Sequence, residues 1–394
     1  MAINIEDFKD IDPGERLLLG AGPCNVPPRV FRAVAAPSIG YLDPYLFKIM
    51  DETQDLLRAL FRTDNAVTLP MSATGGGGME TAFVNLLEPG DQVVVGVNGL
   101  FGTRMCDIAE RLGGEVVRVD VEWGRAVPAE RMEAALKGKS PKIVAVVNAE
   151  TSTGACTPLK DIGKLAHDHG AMFLADTVTS LAGIDVSIDA DGVDVAYSGT
   201  QKCISAFPGI SLVSFGPAAI KALEARTTKV PNWYLDMTMI REYWGPARKY
   251  HHTPAINMIY GLREALRLVF EEGLEARFAR HVLNHRALVA GLEAMGLSML
   301  VPAGERLPML NAVRIAEGAD DAKTRGTLLR EYGIEISGGL GELGGKVWRI
   351  GLMGYNAQPK NVLLLLAALQ AVLKGQGVKV GAGAIEAAAA VWAG

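Results

Sequence analysis

Lys202 stands in Ser198-Gly199-Thr200-Gln201-Lys202, just after the strand-like apolar run Val193–Tyr197. An amine in such a place can condense with a carbonyl and later carry a proton. Asp176 closes the preceding apolar run, Ala171–Ala175, so its carboxylate should emerge at the carboxyl edge of the same sheet. Taken singly, the acid reads as a cap or turn residue and the lysine as a surface residue. Taken together they allow a sharper chemistry. A carboxylate facing a ring nitrogen keeps that nitrogen protonated, and a protonated ring draws electrons from a bound carbanion.

The segment Ser72-Ala73-Thr74-Gly75-Gly76-Gly77-Gly78-Met79-Glu80 follows another apolar run and opens a helix. Glycines admit an anion close to the backbone, and a helix N-terminus offers unpaired N–H groups. The segment is neither the G-x-G-x-x-G dinucleotide pattern nor a P-loop, so phosphate binding of another kind and a plain flexible turn both stay open. Phe101, after Asn98-Gly99-Leu100, has a ring that would stack on a planar ligand, although a core position is the commoner fate of a phenylalanine. Arg349 interrupts the apolar run Val347–Leu352. A guanidinium there needs an anion, either a ligand carboxylate or an internal ion pair. His251 and His252 are adjacent, do not share a helix face and have no third ligand nearby, so no metal is expected.

These residues need a scaffold, and the chain between about 65 and 216 supplies one. Apolar, β-rich runs occur at Val67–Leu69, Gln92–Val97, Glu115–Val121, Lys142–Asn148, Ala171–Ala175, Val193–Tyr197 and Ser211–Phe215. Helical stretches at Gly78–Leu87, Thr103–Leu112, Ala129–Leu136 and Leu159–His169 separate most of them, with Pro158 in a first-turn position. The fold class is therefore α/β, with a mainly parallel sheet covered on both faces. A long helix, Ile256–Glu272, leads out of this unit, and Gly273 breaks the pattern before a second amphipathic stretch, Glu275–Met295. Smaller units follow, including strands Asn311–Arg314 and Val347–Leu352 and an Ala-rich helix at Ala384–Trp392. The expected division is an N-terminal arm over 1–20, a large domain over 21–272 and a small C-terminal domain over 273–394.

Bulk properties narrow the classes. A chain of 394 residues with 49% hydrophobic and 21% charged residues can bury a large core. A formal charge of −5 gives no reason to expect a nucleic-acid or membrane partner. The run Val362–Val372 is too short to span a bilayer, and the acidic start MAINIEDFKD is neither a signal nor a transit peptide. Cys24, Cys106, Cys156 and Cys203 form no C-x-x-C pair, so thiols in a cytoplasmic setting are expected rather than disulfides or zinc.

From Leu19 to Lys374 the chain resembles the class V aminotransferases of pyridoxal-phosphate fold type I, particularly the alanine–glyoxylate and serine–glyoxylate group. The resemblance is carried by Leu19–Pro27, Leu87-Glu88-Pro89-Gly90-Asp91, Glu150-Thr151-Ser152-Thr153-Gly154, Ser198–Lys202, Tyr250-His251-His252-Thr253 and Trp348-Arg349-Ile350-Gly351. It implies a large domain with a seven-stranded sheet, a smaller α/β domain and pyridoxal 5′-phosphate as cofactor. It makes Lys202 the Schiff-base lysine and Asp176 the partner of the pyridine nitrogen, with Phe101 and Val178 on opposite ring faces. Thr74, Gly75, Gly76 and Gln201 are similar to phosphate contacts, and Thr151 to a hydroxyl residue near the phenolic oxygen. Tyr250 and Thr253 would reach the phosphate of a neighbouring subunit, which implies a homodimer with shared sites. Arg349 resembles the arginine that clamps the α-carboxylate, with Asn25 and Tyr41 on the substrate side.

Glu122-Trp123-Gly124, the stretch 271–275 and the tail after Lys374 are most similar to ureidoglycine–glyoxylate aminotransferases. Those enzymes carry Gln at the position of Tyr41 and Asn at that of Tyr250. The tail also resembles pyridoxamine–pyruvate aminotransferase, which has Glu at the position of Thr74 and an arginine at that of Leu340. The expected reaction is therefore amino transfer from a small amino acid, alanine or serine, to glyoxylate, with the two specialised activities as alternatives. A desulfurase is disfavoured because Gln201, not His, precedes Lys202. A dehydrogenase lacks its fingerprint, and a non-catalytic scaffold has no use for Lys202, Asp176 and Arg349 together.

Overall fold

The computed structural model of the chain describes residues 3–394. The seven apolar runs form one sheet of β1 (Val67–Met71), β2 (Gln92–Val97), β3 (Glu115–Asp120), β4 (Ile143–Val147), β5 (Met172–Asp176), β6 (Val195–Gly199) and β7 (Ser211–Phe215). Their order is β1-β7-β6-β5-β4-β2-β3. β7 is antiparallel to both neighbours, and every other pairing is parallel. The mainly parallel seven-stranded sheet is thus as expected. β4, β6 and β7 are buried along their whole length, as a sheet covered on both faces requires. The carboxyl ends of β1, β2, β4, β5 and β6 share one edge, and the loops that leave them meet there.

The covering helices are α1 (Pro28–Val34), α2 (Pro44–Phe61), α3 (Gly75–Leu86), α4 (Leu100–Arg111), α5 (Ala129–Leu136), α6 (Lys160–Asp168), α7 (Pro217–Glu224), α8 (Met237–Trp244) and α9 (Ile256–Glu272). Several expected bounds need correction: α4 begins at Leu100 rather than Thr103, which makes Phe101 helical, and β6 runs Val195–Gly199 rather than Val193–Tyr197. α3 begins at Gly75 rather than Gly78, because the glycine run is itself helical. A Cβ at Gly78 would lie 1.9 Å from Ser211 Oγ, so the missing side chains let the helix settle directly onto the sheet. Pro158 lies before α6 rather than in its first turn, since Leu159 is the cap and Lys160 the first helical residue. α5 and α9 have the expected bounds.

Beyond Gly273, whose φ is +86°, the chain forms α10 (Leu274–Ala294), α11 (Asp321–Tyr332), α12 (Pro359–Gly375) and α13 (Ala384–Ala393). With them stands a three-stranded antiparallel sheet of β8 (Leu310–Arg314), β9 (Ser337–Gly338) and β10 (Val347–Gly351), in the order β8-β10-β9. A second buried cluster gathers around Trp348, Ile350, Leu365, Leu366 and Leu369, separate from the larger cluster on the main sheet. The buried Trp348 indole satisfies its N–H on Asp321 at 3.0 Å. Leu17–Leu18 pairs in parallel with Ile334–Glu335, and Leu19 is buried in the second cluster. The N-terminal arm is therefore stitched to the C-terminal part of the chain before it enters the main sheet. Among the described residues no helix is long and apolar enough to cross a membrane.

Candidate active site

At the carboxyl edge of the main sheet lies a cavity of about 250 Å³. The β1–α3 turn contributes Thr74, Gly75, Gly76 and Met79. Phe101 and Arg104 come from the first turn of α4, and Asp176 and Val178 from the end of β5. Tyr197 of β6, with Gln201 and Lys202 just beyond that strand, completes the wall. The glycine-opened helix, the acid and the lysine thus converge from three strands.

Asp176 is 2% exposed. Its Oδ1 accepts the Val178 N–H at 2.8 Å and its Oδ2 the Tyr197 hydroxyl at 2.8 Å. Burial pushes its carboxyl up to about 7, against those two donors, which pull it down. Lys202, 7% exposed, points its amine at the carbonyl oxygen of Ala21. Burial pushes this amine down to about 8, and the nearby charge of Arg349 acts in the same direction. The loop around Lys202 is held on several sides. The Cys24 N–H donates to the Gln201 carbonyl at 3.1 Å, and the Cys24 thiol donates to the Lys202 carbonyl at 3.1 Å. Arg277, from α10, donates to the Cys203 carbonyl and, at 3.0 Å, to that of Ala182. Gly22 passes so close that a Cβ there would lie 2.6 Å from Lys202 Nζ, and its φ is +104°.

The opposite wall is set by Glu150 and Ser152. Glu150 is fully buried and accepts the N–H groups of Phe101 at 3.1 Å and Gly102 at 3.4 Å. Ser152 Oγ accepts from Leu100 N–H at 2.9 Å and donates to Glu150 at 2.6 Å. A carboxylate on the first N–H groups of α4 suits the helix dipole, and it fixes where the Phe101 ring stands. Arg104, one turn on, lies 5.0 Å from the centre of that ring. Thr74 caps α3 without spending its side chain on the helix. The carboxamide oxygen of Gln201 is buried without a hydrogen-bond partner among the described residues, so it calls for a donor, whereas a phosphate oxygen would be met by the Nε2 of the same side chain. Free N–H groups and an unspent hydroxyl, an apolar wall, a buried acid and a reactive amine together fit pyridoxal phosphate.

Other expected residues lie outside this cavity. Arg349 is buried and makes no ion pair among the described residues; its Nε donates to the Gly338 carbonyl at 2.8 Å and its Nη1 to the Thr151 carbonyl at 3.0 Å. Thr151 is itself buried, next to Glu150. Asn25 spends its amide on the arm, accepting from Leu18 N–H at 2.9 Å and Asn356 at 2.9 Å and donating to the Arg16 carbonyl at 2.8 Å. Tyr41 and Tyr250 pack against each other with ring centres 4.5 Å apart, and Tyr250 meets Thr253 through their hydroxyls at 3.2 Å. Both rings are partly exposed, and neither they nor Thr253 line the cavity of their own chain.

Tyr197, Glu150 and Arg104 belong to the site without having been singled out by the sequence patterns. A polar tip in the wholly buried strand β6, an acid in a buried loop and an arginine one helical turn from Phe101 are the signals each one leaves.

Over residues 22–359 the chain matches the family model for Aminotransferase class-V. The solved ureidoglycine–glyoxylate aminotransferase from Bacillus subtilis superposes with a TM-score of 0.96 at 39% identity, covering 98% of this chain and 100% of that one. The alanine–glyoxylate aminotransferase from Nostoc sp. gives 0.92 at 45% identity, with 95% and 100% covered. The alanine–glyoxylate aminotransferase of Callithrix jacchus is 40% identical over 372 residues, 93% of this chain and 90% of its own length. Agreement at those identities over nearly the whole chain settles the family: the protein belongs to the class-V aminotransferases, enzymes that work with pyridoxal phosphate.

Proposed function

We propose that the protein moves the amino group of a small amino acid, alanine or serine, to glyoxylate, with Lys202 and Asp176 as its acting residues. The observation that carries this reading is the convergence of Lys202, Asp176, Gln201 and the N-terminus of α3 on one cavity. When bound, pyridoxal phosphate supplies a carbon that takes up amines and a ring that withdraws electrons.

The residues divide the work. Thr74, the N–H groups of Gly75 and Gly76 and the Gln201 amide hold the phosphate, where the helix dipole favours an anion. Phe101 and Val178 offer apolar faces to the ring, and Thr151 serves its phenolic oxygen. Asp176, ionised by a cationic partner, keeps the ring nitrogen protonated. Lys202 holds the cofactor, and its lowered basicity suits it to take a proton from the substrate α-carbon and return it. Arg349 grips the α-carboxylate, and Asn25 shapes the substrate side through the arm it fixes.

Tyr250 and Thr253 complete the phosphate site of a second copy, so the active unit is a homodimer. Residues 21–272 act as the large domain and 273–394 as the small one, in keeping with the two buried clusters. Four free cysteines support a cytoplasmic setting. The rings of Tyr41 and Tyr250 narrow the side-chain pocket toward small donors, position 340 is leucine rather than arginine, and Arg104, which does line the cavity, lies over the Phe101 ring. The close superposition on the ureidoglycine–glyoxylate enzyme supports a second reading, with ureidoglycine as donor. A kcat/KM panel of alanine, serine, aspartate, ureidoglycine and pyridoxamine, against glyoxylate and pyruvate, separates them. A lead of more than about tenfold for ureidoglycine or pyridoxamine, roughly 1.4 kcal/mol, overturns the first reading.

A further inference from the structure

We infer that Tyr197 is a positioning residue, whose hydroxyl fixes the plane and the negative charge of the Asp176 carboxylate that meets the ring nitrogen. The inference rests on the reading of Asp176 as that nitrogen's partner. Four observations carry it. Asp176 and Tyr197 are directly paired in register across parallel strands β5 and β6, which puts both side chains on one face of the sheet. The Tyr197 backbone is locked there, because its carbonyl accepts both the N–H and the hydroxyl of Thr177 at 2.9 Å each. Tyr197 is fully buried, lines the cofactor cavity, and spends its hydroxyl on Asp176 Oδ2 at 2.8 Å. The other carboxylate oxygen takes the Val178 N–H, so the two donors hold the group from both ends.

A hydroxyl donating to a buried carboxylate stabilises the charged form. Without it the carboxylate becomes more basic and takes the shared proton away from the ring nitrogen. The burial of Asp176 and the negative charge of Glu150 both work against ionisation, and Tyr197 is the side-chain donor that opposes them. A tyrosine kept only to fill the core would serve Asp176 no better than phenylalanine.

The test uses cofactor affinity. Cofactor-free full-length protein is titrated with pyridoxal phosphate and with its analogue carrying C–H in place of the ring nitrogen. Both condense with Lys202, but only the first can accept a proton on the ring. The native protein should prefer pyridoxal phosphate. Tyr197→Phe should lose about tenfold of that preference, equal to about 1.4 kcal/mol, while its affinity for the analogue stays within about twofold. Asp176→Asn should lose most of the preference, since its amide can still donate to an unprotonated ring nitrogen. Equal weakening toward both ligands in Tyr197→Phe marks a structural role and overturns the inference. So does a full preference in Tyr197→Phe beside its loss in Asp176→Asn, which leaves the reading of Asp176 intact. An undiminished preference in Asp176→Asn removes that reading and the inference with it. Should Tyr197→Phe not fold, 3-fluorotyrosine placed at 197, a stronger donor, must increase the preference, and an unchanged preference overturns the inference.

Discussion

Arg349 donates through Nη1 to the carbonyl oxygen of Thr151, 3.0 Å away, across the seam between the two buried clusters. With Nε spent on Gly338, the guanidinium is held by one carbonyl from each side, and Nη2 is the nitrogen left for the proposed α-carboxylate. Lysine has one charged nitrogen and cannot make both bonds while still presenting a fork to a carboxylate. Arg349→Lys should therefore lower kcat/KM for alanine by about a hundredfold, in line with the few kcal/mol that loss of a buried charge partner costs. Cofactor absorbance should stay unchanged. Steady-state kinetics beside a visible spectrum check both.

Asp176 makes the cofactor-free protein sensitive to pH in a defined direction. Burial pushes its carboxyl up to about 7 in the folded chain, from an ordinary 3.8. Between those values the folded chain holds a proton that the unfolded chain has released, so stability falls as pH rises through the window. Asparagine does not titrate. Cofactor-free Asp176→Asn should melt above the native protein at pH 8, by up to about 4 kcal/mol in stability, and the gain should vanish near pH 4. Paired thermal melts at the two pH values measure this, and a gain independent of pH would contradict it.

Gly22 leaves room for the amine of Lys202. A Cβ at that position would lie 2.6 Å from Nζ, and the φ of +104° disfavours any side chain. Gly22→Ala should cost about 1–3 kcal/mol of stability and slow turnover more than it raises KM, because the displaced group is Lys202. Denaturant melts and single-turnover rates separate the two effects.

Tyr250 and Thr253 stand outside the cavity of their own chain, as partners in a second copy's site would. Lys202→Ala mixed with Tyr250→Phe/Thr253→Val should regain activity on subunit exchange. Random mixing gives one complete site in half of the dimers, hence roughly a quarter of native activity. No recovery, with each parent variant inactive, rules out the shared site.

Much of this arrangement is legible in the sequence, for reasons that stop short of the whole. β2 and β7 have the expected bounds, because their apolar runs end sharply at polar or glycine punctuation. Asp176 and Lys202 follow from strand ends, since the carboxyl edge gathers whatever the loops carry. α2 is a legible helix that the expectations pass over. Its buried residues recur at three- and four-residue spacing from Leu46 to Phe61 behind an Asp43-Pro44 start. Tyr197 offers a polar tip in an apolar run, but its partner is fixed by strand register, which periodicity does not reveal. The close passage of Gly20 and Gly22 past Ser337 and Lys202 depends on contacts between distant parts of the chain. No local pattern encodes them.

Lys202 is proposed as the amine that holds pyridoxal phosphate. Borohydride reduction of the holoenzyme followed by peptide mapping tests it directly. The expected result is a single stable cofactor adduct, on the peptide containing Lys202, and no adduct at that site in Lys202→Ala. An adduct on any other lysine of the native protein would contradict it.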